Sequence, residues 1–126
     1  MRNEALAAFS QAREYDPNLE TDARIWDALC LGGSLWEEAA TVMHACERAV
    51  ELAPDNGGIR NSRGIARALT GNLAGASEDF RSYLEWAPTH KQSEIQIAKR
   101  QYWLYELEAG RNPFDAATLE KLKNKQ

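Results

Sequence analysis

Arg60, Arg63 and Arg67 recur at three- and four-residue spacing, which on a helix gives one basic face. Such a face could recognise an anion, above all an acidic peptide. The same arginines could instead pair with Asp79, with Glu78 or with carboxylates of the preceding helix. Nucleophilic chemistry has weaker material. His44 and Cys46 are two residues apart, so on a helix they point to different faces. A Cys–His pair needs hydrogen-bond reach, and an interior cysteine of a helix is ordinarily inert filler. Cys30, His44, Cys46 and His90 are the right types for zinc, but no two stand at close ligand spacing. Glu37-Glu38 and Glu78-Asp79 fall where helices would begin, and acids there favour the helix dipole. Gly32-Gly33 and Gly57-Gly58 lack the lysine and the strand of a phosphate loop. The expectation is no catalytic residue, no metal and no cofactor.

The bulk properties narrow the partners. The chain has 126 residues, 44% hydrophobic and 27% charged, which is enough apolar chain to bury a core and too much for extended disorder. Its net charge of −4 argues against a broad basic face for nucleic acid. The run Lys121, Lys123, Lys125 suits a solvated helix end. No stretch approaches the ~20 apolar residues that span a bilayer, and the N-terminus lacks the apolar core of a signal peptide. Two cysteines far apart with no CxxC point to a reduced, cytoplasmic setting.

The elements that must position these residues are all helices. Breaks fall at Asp16-Pro17, Gly32-Gly33, Pro54-Asp55, Gly71-Asn72, Pro88 and Gly110 through Pro113. They leave helices near 3–15, 21–31, 35–52, 57–70, 73–86, 91–109 and 115–124. Ile95, Ala98, Tyr102, Tyr105 and Ala109 form a stripe expected to pack on the fifth helix, while Trp103 and Leu104 lie off it and could contact the seventh helix or a partner. Asp115 is the expected N-cap of the last helix, with Phe114 and Leu119 at staple spacing.

A repeat runs through this map. AVELAPDN (49–56) and SYLEWAPTH (82–90) align, placing Pro54 and Pro88 34 residues apart. Pro17 stands 37 residues before Pro54, an excess of about three, expected between Cys30 and Val42. In 57–88, Gly64, Gly71, Ala76, Phe80 and Pro88 follow the Gly, Gly, Ala, aromatic, Pro grammar. Here the chain resembles the tetratricopeptide repeat family in its RG…G…A…DF flavour. Trp26 and Leu29, with Ala49 and Pro54, extend the likeness to 21–54, and 5–18 resembles a lone second helix. The departures are Arg60 at the family's first aromatic position, Arg63 at its leucine and Tyr83 at its late small residue. In the family's logic Gly64 lets two helices approach and Arg63 pairs with Asp79, for at most about 1 kcal/mol if exposed.

The resemblance implies one all-α domain over 1–126. It would be a right-handed solenoid of antiparallel helix pairs: an incomplete repeat at 1–18, a looser one at 21–54, a clear one at 57–88, and capping helices over 91–126. It also implies a concave groove lined by Gly58, Asn61, Ile65, Ala68 and Leu69, with Arg24, Asp27 and Leu31 as counterparts. Ile65, Ala68 and Leu69 make the groove centre apolar, so the expected ligand has an apolar anchor and acidic flanks, and no carboxylate clamp forms. The function implied is a protein-interaction scaffold; the alternative is a spacer in a larger chain with no groove ligand, which a filled or occluded groove would support. Starting at what resembles a second helix, the chain is expected to be a fragment of a longer protein, like arrays attached to large bacterial multidomain proteins. The partner's identity and the oligomeric state stay open.

Overall fold

A computed structural model describes residues 2–124, leaving aside the side chains of 2–6, 9, 19 and 20. Lys125 of the basic run lies outside the described residues. Seven helices follow in order: α1 (Arg2–Tyr15), α2 (Ala23–Leu35), α3 (Ala39–Leu52), α4 (Gly57–Leu69), α5 (Leu73–Trp86), α6 (Glu94–Glu108) and α7 (Ala116–Lys123). Short 3-10 turns occupy Pro17–Thr21 and Ala87–Thr89. No strand occurs among the described residues. No helix is long and apolar enough to cross a membrane.

The helix starts are chemically marked. Asn56 accepts from the Ile59 amide at 3.1 Å, Asn72 from Gly75 at 2.9 Å, Ser93 from Gln96 at 3.1 Å and Asp115 from Thr118 at 2.8 Å. Each side-chain oxygen satisfies an amide that the helix leaves without a partner. α4 ends on Gly71, at φ +89°, where the next amide returns to the Arg67 carbonyl at 2.8 Å.

α2 ends differently from the expectation. It runs through Gly32-Gly33 and stops at Leu35. The left-handed residue of its turn is Glu37, at φ 66°, and the next amide returns to the Gly33 carbonyl at 2.8 Å. Gly33 serves packing instead: a Cβ there would collide with the Val42 side chain of α3. Glu37 therefore turns the chain rather than starting a helix, and Glu38 takes the N-cap place of α3.

The repeat is more regular than the proline spacing suggests. α2 and α4 are both 13 residues long and begin 34 apart; α3 and α5 are both 14 long and also begin 34 apart. The surplus near three residues falls in the turn at 17–21, before α2, and not between Cys30 and Val42. α2 packs on α3 and α4 on α5, α3 meets α4, and α5 meets α6.

Cys30 of α2 and Cys46 of α3 are joined in a disulfide with Cα atoms 4.8 Å apart. The two are 16 residues apart in sequence, and the tight turn between α2 and α3 folds that distance away. The sequence expectation of unpaired cysteines is thus corrected, and the argument for a reduced compartment loses its basis, since disulfides persist in oxidising surroundings.

α6 also departs from its expected packing. Ile95, Ala98, Tyr102, Tyr105 and Ala109 face outward, with Ile95 67% and Tyr105 65% exposed. Trp103 and Leu107 are buried instead, and Leu104 is half-buried against the same core. Arg100, Trp103, Leu104 and Leu107 repeat with the same helical period, so α6 carries two apolar stripes and spacing alone does not choose between them.

Candidate functional site

The inner faces of α2 and α4 were the expected groove, and the 34-residue offset confirms that Arg24, Asp27 and Leu31 correspond to Gly58, Asn61 and Ile65. The surface itself is not open. Ile65 is 1% and Ala68 0% exposed, and Asn61 is buried. Gly58, Asp27, Leu31 and Leu69 are half-buried, and only Arg24 is exposed, pairing with Asp22 at 3.2 Å. The reason is the chain's own C-terminus. Phe114 and Leu119 lie in one core with Leu35, Ile65, Ala68 and Phe80. The Phe114 ring stacks on Phe80 at 6.0 Å and meets Trp103 at 4.8 Å. Asn112 Nδ2 donates to the Ala68 carbonyl at 2.8 Å, fixing the approach to α7.

Arg100 closes the other end of that face. Its Nε donates to Asn61 Oδ1 at 2.9 Å, across 39 residues of sequence, and Nη1 donates to Gln96 Oε1. The guanidinium lies 4.7 Å from the Trp103 ring centre and 5.0 Å from that of Tyr83. Burial holds its pKa below the ordinary arginine value. Sequence reading missed Arg100, because nothing local pairs a residue of α6 with Asn61. Asp27 lies opposite in kind: burial raises its carboxyl pKa, only partly offset by the Ser62 hydroxyl, and its Oδ1 is buried without a hydrogen bond.

The groove is not filled completely. A cleft of about 540 Å³ remains between α7 and the ends of α3 and α4. Its lining is Glu37, Ala39, Ala40, Leu69, Thr70, Phe114, Ala116 and Leu119. These side chains offer apolar surface and one carboxylate, and the Thr70 hydroxyl donates within its own helix end, to Ala66 or Arg67. That is the character of a surface for an apolar side chain, not for proton transfer.

The arginine face is committed elsewhere. Arg63 donates to Asp79 through Nε at 2.9 Å and Nη2 at 2.8 Å, a bidentate pair on a carboxylate with no exposure. Arg67 and Arg60 approach the same carboxylate at 3.4 Å and 3.6 Å. Glu47 of α3 takes Arg63 at 3.5 Å and Arg67 at 3.6 Å. Burial works against charge on Arg63, but Asp79, Glu47 and Glu78 outweigh it and its pKa stands above the ordinary value. The pairing reading thus takes the place of the anion stripe, and Asp79 is a core residue rather than a solvated helix start. Removing one member of a buried pair costs about 3–5 kcal/mol, because the other charge is then left buried without compensation.

Cys46 is held in the disulfide, and no free cysteine exists among the described residues. His44 is exposed, with its ring 6.2 Å from that of Trp26. The described residues contain no cluster of metal-ligating side chains. No protein-family model matches the chain, and no curated protein or solved structure does either.

Proposed function

We propose that this chain is a tetratricopeptide-like protein-interaction scaffold, not an enzyme, whose α2/α4 inner face takes an apolar helical segment of a partner. The solenoid arrangement and its right-handed sense belong to this proposal. The carrying observation is that Phe114 and Leu119, the apolar anchors flanking and within α7, share one buried core with Ile65 and Ala68. The 34-residue recurrence of two equal helix pairs supports the family reading. The apolar cleft supports binding over catalysis. Acidic flanks are dropped from the partner, because the arginines meant to meet them are taken by Asp79 and Glu47. A cytoplasmic location is dropped too, given the disulfide.

The spacer is the second reading, and the covered groove favours it: α6 and α7 would then be permanent core. A displayed library of 15-residue amphipathic helices separates the two. The scaffold reading expects enriched sequences whose binding is lost in Ala40→Glu, an exposed change at the cleft rim. No enrichment on folded protein moves the assignment to a spacer.

A further inference from the structure

The segment that covers the inner face is held unevenly along its length. Phe114 is locked between Phe80 and Trp103, with rings 6.0 Å and 4.8 Å away. Beyond it, α7 is eight residues long, and Leu119 is its one buried residue. A helix this short has no stability of its own in water; isolated helices need about 12–15 residues even to be marginal. Lys123 reaches the Trp36 ring at 4.6 Å, and Leu122 is half-buried on the core. Here the cleft of about 540 Å³ lies directly beside Ala116 and Leu119. Ala116 and Leu119 thus border a cleft open to solvent that a larger apolar side chain could enter.

We infer that α7 is an internal stand-in for a partner helix, released at Asp115 when that helix binds, while Phe114 stays in the core. This rests on the scaffold reading. The occupant is an amphipathic helix of another polypeptide, two turns or longer. It carries a leucine or larger residue in the place of Leu119 and a second bulky apolar residue where α7 has Ala116. It also carries a basic residue near its C-terminal end, where α7 itself sets Lys123 over the Trp36 ring. Competition by α7 lowers the apparent affinity by the fraction of molecules in which the face is uncovered.

The test titrates a fluorescein-labelled peptide of residues 110–124 carrying Ala116→Leu into the full chain and its Leu119→Ser variant, read by fluorescence anisotropy. The expected result is about tenfold tighter or better binding to Leu119→Ser, abolished when Ala40→Glu is added. If circular dichroism shows Leu119→Ser unfolded, Leu122→Ser weakens the same contact from a half-buried position and gives the same readout. Equal affinity for wild type and variant overturns the inference and leaves the scaffold reading standing. No binding to a folded variant overturns both. A dimer of Leu119→Ser by light scattering assigns the face to a second copy and also overturns it.

Discussion

Cys30 and Cys46 stand in the first helix pair where Gly64 and Phe80 stand in the second, 34 residues on. In α4–α5 the crossing is made by absence and bulk: a Cβ on Gly64 would sit 3.1 Å from the Phe80 ring. In α2–α3 the same crossing is a covalent bond. A second contrast lies one turn away. Trp26, Leu29 and Ala45 make an apolar cluster in the first pair. Their counterparts Arg60, Arg63 and Asp79 make an ionic one. Equal helices at an equal offset are thus held by different chemistry, so the geometry belongs to the pattern of small and large positions and not to any one interaction. It also shows how a buried ion pair and an apolar cluster can serve interchangeably.

That comparison can be broken where it is most costly. Asp79→Ala leaves three arginines around a buried void and is expected to cost about 3–5 kcal/mol in urea unfolding. Adding Arg63→Leu, which copies the first pair, should return about half of the loss. If the double change is worse than the single one, the two clusters are not interchangeable. Next, replacing both cysteines by alanine, or reducing the disulfide, should cost roughly 3 kcal/mol, the entropic worth of a loop of about 15 residues. An unchanged midpoint would show that the bond adds nothing to the α2–α3 pair.

Asp27 and Asn61 are counterparts as well, Asp27 with its buried Oδ1 lacking a hydrogen bond and Asn61 bound to Arg100. Asp27→Asn should therefore stabilise by about 1 kcal/mol at pH 7. Burial raises the folded pKa of Asp27 above its ordinary value near 3.8, so the folded state holds the proton more tightly. Wild type then loses stability as pH climbs from near 3.8 through the folded pKa. The advantage of Asn should grow over that window and vanish below it, as thermal melts across pH would read. Smallest is Glu37→Gly. It gives the first turn the residue that Gly71 gives the second and should gain about 0.5–1 kcal/mol by relieving a left-handed non-glycine. A loss instead would mean that the Glu37 side chain contributes more than its backbone strain costs.

Helix existence and the cap at Asp115 were readable because local spacing determines them, whereas the Arg63–Asp79 pair, 16 residues apart, was readable only through the family resemblance. The 34-residue register of α2 and α4 was readable too, and it sets Arg24, Asp27 and Leu31 at the helix positions of Gly58, Asn61 and Ile65. What covers the inner face was not. Phe114 and Leu119 read locally as a staple for α7, and only the return of the chain past Gly110 brings them into one core with Ile65 and Ala68. Gly33 misled because a glycine that lets helices touch and a glycine that ends a helix look alike in sequence. The disulfide stayed hidden because its two partners lie 16 residues apart, and only the turn at Glu37 brings them together.

The central claim is that α7 is the loosely held occupant of a face built by α2 and α4. Native-state amide hydrogen exchange tests it directly on the wild-type chain. The account predicts that amides of Leu119–Lys123 exchange about a hundredfold or more faster than those of Ile65 and Ala66, with little dependence on low denaturant, as local opening requires. Protection of α7 equal to that of α4, with the same denaturant slope, would make α7 permanent core and contradict the claim.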